Sequence, residues 1–257
     1  MKKSVIILMV ISLLGFTFSL SAQNFTIGVK GGLNIPNLTG GDTEHPLSSG
    51  YESRFGATYG GYGEYHMTKH FSVSIGAEYS SQGGVKNKTQ AFVPGDLAPL
   101  AAMFGVEYLY ADYKSEAKMN YLLVPLMARF SWNLFKTFPL KVYAAVGPFA
   151  GFMLNAHQYT SGSSLIYADE AKTITVPLPP PLTAIDFDAT TDIKDQLHTF
   201  NVGINCLVGF SYTLSQKSSL FIEGGGNYGF ISIQKDAANG QSYTGAGTVN
   251  FGYAHTF

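Results

Sequence analysis

The chain has 257 residues, a formal net charge of −1 and only 13% charged residues. That charge argues against a nucleic-acid partner, which usually needs a strongly basic face. The single cysteine, Cys206, excludes an intramolecular disulfide. A composition with 29 Gly, 16 Tyr and 19 Phe favours an all-β chain.

The first 22 residues have the layout of a secretory signal peptide. Met1-Lys2-Lys3 is a basic start, the stretch from Val5 to Leu14 is apolar apart from Ser12, and small residues follow up to Ala22. The alternative is an uncleaved membrane anchor, but this stretch is shorter than the roughly 20 residues that a spanning helix needs. We therefore expect a signal peptide at 1–22 and a single mature domain at 23–257.

Eight segments of the mature chain carry an apolar residue at every second position, as strands with one apolar face do. They start near Phe25, Arg54, Phe71, Lys118, Leu140, Thr199, Ser219 and Gly245. The apolar row of the sixth segment consists of Phe200, Val202, Ile204, Cys206, Val208, Phe210, Tyr212 and Leu214. Such segments are longer than ordinary strands and suffice for the roughly 9 to 11 tilted residues that span hydrocarbon.

The connections between these segments alternate in length. The short ones are Met67–His70, Asn133–Pro139 and Ser215–Ser218, and the long ones are Pro36–Ser53, Lys86–Ala117, His157–Leu197 and Lys235–Thr244. This asymmetry is typical of outer-membrane barrels. We therefore predict an all-β fold, an eight-stranded antiparallel up-and-down transmembrane β-barrel in the cell outer membrane, with short periplasmic turns and long extracellular loops.

The apolar rows decide which face of the sheet meets lipid. A lipocalin-type barrel, the soluble alternative, would turn them inward around a ligand. Here the opposite rows are rich in Gly, Ser, Thr and Asn, which suit a crowded interior and would make a poor soluble surface. Aromatic residues also gather near the short turns, where interfacial girdles lie. The predicted girdle consists of Tyr65, Phe71, Phe130, Trp132, Tyr212, Tyr253 and Phe257.

Most charges of the strands fall on the inward rows, in the half of the barrel near the short turns. They are Lys30, Glu64, His66, Glu78, Arg129, Lys141 and Glu223. Buried charges are costly unless they are paired. Because eight strands leave an interior that side chains just fill, we expect a structural charge network that closes the lumen. The alternative is that these groups line a water-filled path.

Three stretches resemble those of known outer-membrane barrels. Phe251, Tyr253 and the terminal Phe257 share one face and resemble the barrel assembly signal. Ile27–Asn34 and Tyr121–Phe130 resemble the opening strand and the Tyr-Leu-x-Ile-Pro-Leu core strand of the porin-like outer-membrane β-barrel family, the PorT-like group of Gram-negative bacteria. The resemblance implies the fold and the location and transfers no functional residues. The recurrence of a proline at Pro125 in that family implies a tolerated bulge.

Two groups of residues are candidates for chemistry. Glu64 and His66 share an inward face and, with a hydroxyl, could form a hydrolase-like set. The residues His157, Asp195 and His198 flank the third long loop, but they lack the tight spacing of a metal motif. A buried polar pair and solvated loop residues explain them better. We therefore expect no enzyme activity, no cofactor and no metal site.

The third long loop contains the proline-rich run Val176–Leu182, which is a docking segment for a partner or a stiff shield of the rim. We expect the protein to have a structural, adhesive or accessory binding role through its extracellular loops. The expected partners are outer-membrane lipids, the barrel-assembly machinery and a protein at those loops. The alternatives are a narrow passive channel for small solutes and, less favoured, a membrane-embedded hydrolase.

Overall fold

The computed structural model describes residues 24–40, 45–135 and 138–257. The predicted signal peptide, 1–22, lies outside these residues. Within the described ranges, no helix is long and apolar enough to cross a membrane.

Eight long antiparallel strands form a closed ring. They are β1 (Phe25–Gly40), β2 (Gly56–His66), β3 (Phe71–Phe92), β4 (Leu109–Asn133), β5 (Leu140–Ser161), β10 (Phe200–Ser215), β11 (Ser218–Gly229) and β12 (Ser242–Thr256). Each strand pairs with its neighbour along the chain, β5 pairs with β10, and β12 pairs with β1 to close the ring. The predicted eight-stranded up-and-down barrel is confirmed.

The exposure of side chains alternates along the strands as the sequence pattern requires. On β10, Val208 is 57% exposed and Phe210 46%, whereas Asn201 and Asn205 on the opposite row are only 3% and 5% exposed. The apolar rows therefore form the outer surface and the Gly-, Ser- and Asn-bearing rows face the lumen. The predicted orientation is confirmed, and the lipocalin-type alternative is wrong.

The aromatic residues near the short turns lie on the outer surface. Phe71 and Phe130 face each other across β3 and β4 with ring centroids 4.9 Å apart, and Trp132 follows Phe130 at 6.5 Å. Phe25 and Phe257 meet at 6.4 Å where the first and last strands close the ring. These rings occupy the level at which a membrane–water interface favours aromatic side chains.

Strands β3 and β4 extend much further than the sequence pattern indicated, and β1 and β5 each extend about five residues into an expected loop, β1 as far as Gly40. The region 86–117, expected as a loop, is mostly the continued ladder of β3 and β4, and β5 runs past His157 to Ser161. Alternation predicts strands only where one face must be apolar. Beyond the membrane both faces of this ribbon carry polar residues, as in Lys86–Gln90, so the pattern disappears although the ladder continues.

The extended strands carry a small extracellular subdomain, formed by residues 86–117 and 157–197. It contains the short helix α1 (Ala98–Met103) and the short strands β6 (Ser163–Ser164), β7 (Ile166–Tyr167), β8 (Ile185–Asp186) and β9 (Ala189–Asp192). Its own apolar core includes the fully buried Leu109, Ala111 and Ile166.

The lumen is partly apolar, which the polar inward rows did not predict. One buried cluster contains Met119, Tyr121, Leu123, Phe149 and Met153 on the inner faces of β4 and β5. The predicted position of the bulge, at Pro125, is wrong. The register of β4 against β5 shifts instead between Asn120 and Tyr121.

Candidate functional site

The lumen holds a lysine between two carboxylates. Lys30 on β1 places its Nζ 2.8 Å from Glu78 Oε1 on β3 and 2.8 Å from Glu223 Oε1 on β11. All three side chains are less than 10% exposed. Each comes from the inward row of its strand, so closing the ring brings them together across the interior.

A second ion pair lies beside the first. Arg129 on β4 donates from Nη1 to Glu64 Oε2 on β2 at 2.8 Å. The other oxygen of Glu64 accepts a hydrogen bond from the hydroxyl of Ser72. His66 Nδ1 lies 3.9 Å from Glu64, while its Nε2 lies 2.9 Å from the hydroxyl of Thr26.

A tyrosine connects the two groups of charges. The hydroxyl of Tyr143 on β5 donates to Glu223 Oε2 at 2.9 Å, and the Arg129 guanidinium lies over the Tyr143 ring, 4.3 Å from its centroid. Asn250 Nδ2 adds a longer contact of 3.4 Å to Glu223. Six of the seven predicted residues are thus connected through the neutral side chain of Tyr143, which a search for charged residues alone does not find. The available signal was the place of Tyr143 on the inward row of β5, two residues after the predicted Lys141.

Lys141 is the seventh predicted residue and lies apart. It is exposed at the mouth near the short turns, and it forms no ion pair within the described ranges.

A further ion pair near the extracellular end was not predicted from the sequence. Arg54 Nε lies 3.0 Å from Glu116 Oε1, and Arg54 Nη1 donates to the hydroxyl of Ser81 at 3.1 Å. Burial acts to raise the carboxyl pKa of Glu116, but the positive charges of Arg54 and of Lys118, whose Nζ lies 3.5 Å from Oε1, hold it below its usual value. The pair escaped prediction because Glu116 was placed in a loop.

Glu64 of the candidate hydrolase-like set and His198 of the candidate metal site already have other partners. Glu64 already binds Arg129 and Ser72, and His198 Nδ1 lies 2.9 Å from the carbonyl oxygen of Ser232. No group of three His, Cys, Asp or Glu side chains in the described part of the chain is arranged to hold a metal ion.

The proline-rich run is anchored at its start. Val176 is 1% exposed, packs into the core of the extracellular subdomain, and donates from its backbone to Ile166 at 2.8 Å. Pro179–Leu182 is exposed. The run is therefore packed against the subdomain at its start and exposed at its end.

Phe251, Tyr253 and Phe257, which resemble an assembly signal, all lie on the outer surface, 64%, 39% and 45% exposed. A closed ring with an apolar outer band and paired charges inside defines an integral outer-membrane β-barrel protein.

Comparison with known proteins narrows this class to a family. Residues 21–235 match the model of the outer membrane protein beta-barrel domain, and the chain belongs to that family. No curated protein matches the sequence.

Among solved structures, Neisserial surface protein A is 11% identical with a TM-score of 0.43, covering 91% of this chain and 97% of that one. Ail, the attachment invasion locus protein of Yersinia pestis, is 10% identical with a TM-score of 0.37 and coverages of 90% and 99%. OprG from Pseudomonas aeruginosa is 9% identical with a TM-score of 0.37 and coverages of 91% and 97%. Because these scores are below 0.5, the family membership rests on the domain match.

Proposed function

We propose that the protein is a structural or adhesive component of the outer membrane that binds a partner protein through its extracellular subdomain. The observation that carries this proposal is the subdomain's own buried core, built around Leu109 and Ile166. A packed core presents a fixed surface, whereas a mobile loop must be ordered at an entropic cost when it binds. Exposed apolar side chains at its tip, Val93 at 62% and Met103 at 78%, offer contact area.

The test compares bacteria that carry the full chain with bacteria that carry a variant in which residues 94–105 are replaced by Asn-Gly. A matched control places Asn-Gly at the periplasmic turn Gln216-Lys217. We expect the first variant alone to lose adhesion to surfaces and to other cells, at equal amounts of folded barrel in the membrane. Equal adhesion of all three strains would refute the proposal.

The second candidate is a narrow passive channel. It is favoured by buried lumen atoms that lack a hydrogen-bond partner within the described residues, among them Asn34 Oδ1, Asn205 Oδ1 and Asn250 Oδ1, because such atoms often bind internal water. The ion pairs around Lys30 and Arg129 favour a closed lumen instead. Planar-bilayer recordings of purified protein should show no stable conductance, and a steady large conductance would support the channel.

We further propose that the protein is not an enzyme and that it belongs to the PorT-like group. The first statement is supported by the engagement of Glu64 with Arg129, and the second by the Tyr121–Phe130 motif. A screen against ester and lipid substrates tests the first, since turnover that is lost in Glu64→Gln would refute it. A family model restricted to the PorT-like group tests the second and should match the barrel strands.

The expected partners during biogenesis are lipids of the outer membrane and the barrel-assembly machinery. Phe257 lies on the outer surface of the folded barrel and is 45% exposed, so its side chain does not fill the lumen. Deleting Phe257 should lower the amount of folded barrel in cells without preventing refolding of purified protein in detergent. A loss in both settings would indicate a structural role for this residue.

A further inference from the structure

The periplasmic end of the barrel contains a deep cavity that the proposed function does not use. This periplasmic vestibule has a volume of about 700 Å3 and lies inside the ring of short turns. The Arg129–Glu64 pair and Tyr143 line it, whereas Lys30, Glu78 and Glu223 do not. The inner end of the vestibule is therefore formed by Arg129, Glu64 and Tyr143, and the Lys30 ion pairs lie beyond it.

The vestibule carries an excess of positive charge. Lys69, Lys141 and Lys217 line it, and none of them forms an ion pair in the part of the chain that the structure describes. Glu64 is the one carboxylate among the described lining residues, and Arg129 already neutralises it. Three unpaired ammonium groups around one concave surface attract a multivalent anion.

The inner part of the vestibule also has unused hydrogen-bonding capacity. Arg129 Nε is buried and has no hydrogen-bond partner in the described structure, although Nη1 of the same guanidinium is engaged by Glu64. This nitrogen is closed off from the cavity, so the groups that a bound molecule can reach are the lysines and the hydroxyls of the wall. Hydroxyls of Ser131, Ser211 and Thr213 line the cavity as well.

We propose that the periplasmic vestibule binds a small anion that carries phosphate groups. Carboxylates are recognised best by the two-pronged face of a guanidinium, and here Glu64 already engages that group. Lysine ammonium groups act as point charges that suit the tetrahedral oxygens of a phosphate from several directions. The phosphate group comes from a soluble periplasmic compound or from a lipid headgroup of the inner leaflet.

The experiment uses the full mature chain in non-ionic detergent micelles and titrates it calorimetrically with pyrophosphate. Lys141→Gln should weaken binding about tenfold, since one charged hydrogen bond is lost. Lys88→Gln, at an exposed lysine on the extracellular side, should leave binding unchanged. Lys217→Gln, in a periplasmic turn, should also weaken binding. This variant replaces Lys141→Gln in the test if the latter does not fold.

Absence of binding, or equal affinity in wild type, Lys141→Gln and Lys217→Gln, would overturn the proposal. Citrate that binds as tightly as pyrophosphate would overturn the assignment to phosphate. The same titration in nanodiscs distinguishes the two sources. A weaker affinity in phosphatidylcholine than in a galactolipid, which is likewise uncharged overall but has no phosphate, would show that headgroups occupy the vestibule, and equal affinities would assign it to a soluble phosphate compound.

Discussion

Arg129 on β4 reaches across β3 to bind Glu64 on β2, with Nη1 and Oε2 separated by 2.8 Å. The Glu64 side chain is 2% exposed, so its charge has lost most of its hydration, and the ion pair with Arg129 offsets most of that loss. A charge that loses its partner in such an environment is costly, whereas removing both charges can be nearly neutral. The pair therefore links the position of β4 to that of β2.

The first prediction follows from this dependence. Arg129→Met should lower the free energy of unfolding by about 3–5 kcal/mol, because Glu64 is left buried and unpaired. The double variant Arg129→Met/Glu64→Met should recover most of that loss. Urea unfolding of the purified protein in detergent measures both. If the double variant were as unstable as the single one, the loss would come from packing and not from charge.

The second prediction tests which face meets lipid. Cys206 is exposed on the outer row of β10, so a fluorophore attached there should be quenched by lipids that carry bromine in their acyl chains. The control variant Asn205→Cys/Cys206→Ser moves the thiol one residue, to a position that is 5% exposed and faces the lumen. The control should escape quenching. Equal quenching at the two positions would contradict the orientation.

The orientation was predictable because every second residue must meet lipid within the membrane, as along Phe200–Leu214. The interior charges were predictable one by one because each lies on an inward row. Their partners were not, since Lys30, Glu78 and Glu223 come from three strands that only ring closure brings together. The subdomain escaped prediction for another reason. Above the membrane neither face of a strand meets lipid, so apolar and polar residues need not alternate along it.

The third prediction concerns two adjacent glycines on β1. A methyl group on Gly32 would collide with the backbone of Val249 and Asn250 on β12, whereas on Gly31 the nearest atom would be Tyr59 Cβ at 3.6 Å. Gly32→Ala should destabilise the barrel by about 1–3 kcal/mol, as overpacking does. Gly31→Ala should have little effect. The urea midpoints of the two variants provide the comparison, and equal midpoints would show that β12 can move away.

The fourth prediction concerns Lys86, in the extracellular subdomain. Burial lowers its pKa from 10.5 to about 8, helped by the charge of Lys88, while its Nζ donates to the carbonyl oxygen of Leu47 at 2.9 Å. Between these two pKa values the unfolded chain binds more protons than the folded one, so stability should rise as the pH increases from 8. Burial raises the pKa of Tyr51 to about 12, so the folded protein loses stability above pH 10 as the unfolded chain releases this proton. The rise caused by Lys86 is therefore measured between pH 8 and 10.

Replacing the lysine should remove this dependence. Lys86→Met is expected to be more stable than wild type at pH 7 and to show a flatter stability profile between pH 8 and 10, because no charge has to be buried. Lys114→Met, at an exposed position of the same subdomain, keeps Lys86 and should retain the rise. Urea unfolding in detergent at half-unit pH steps gives the profiles. A rise of equal size in Lys86→Met would mean that another group releases its proton in this range.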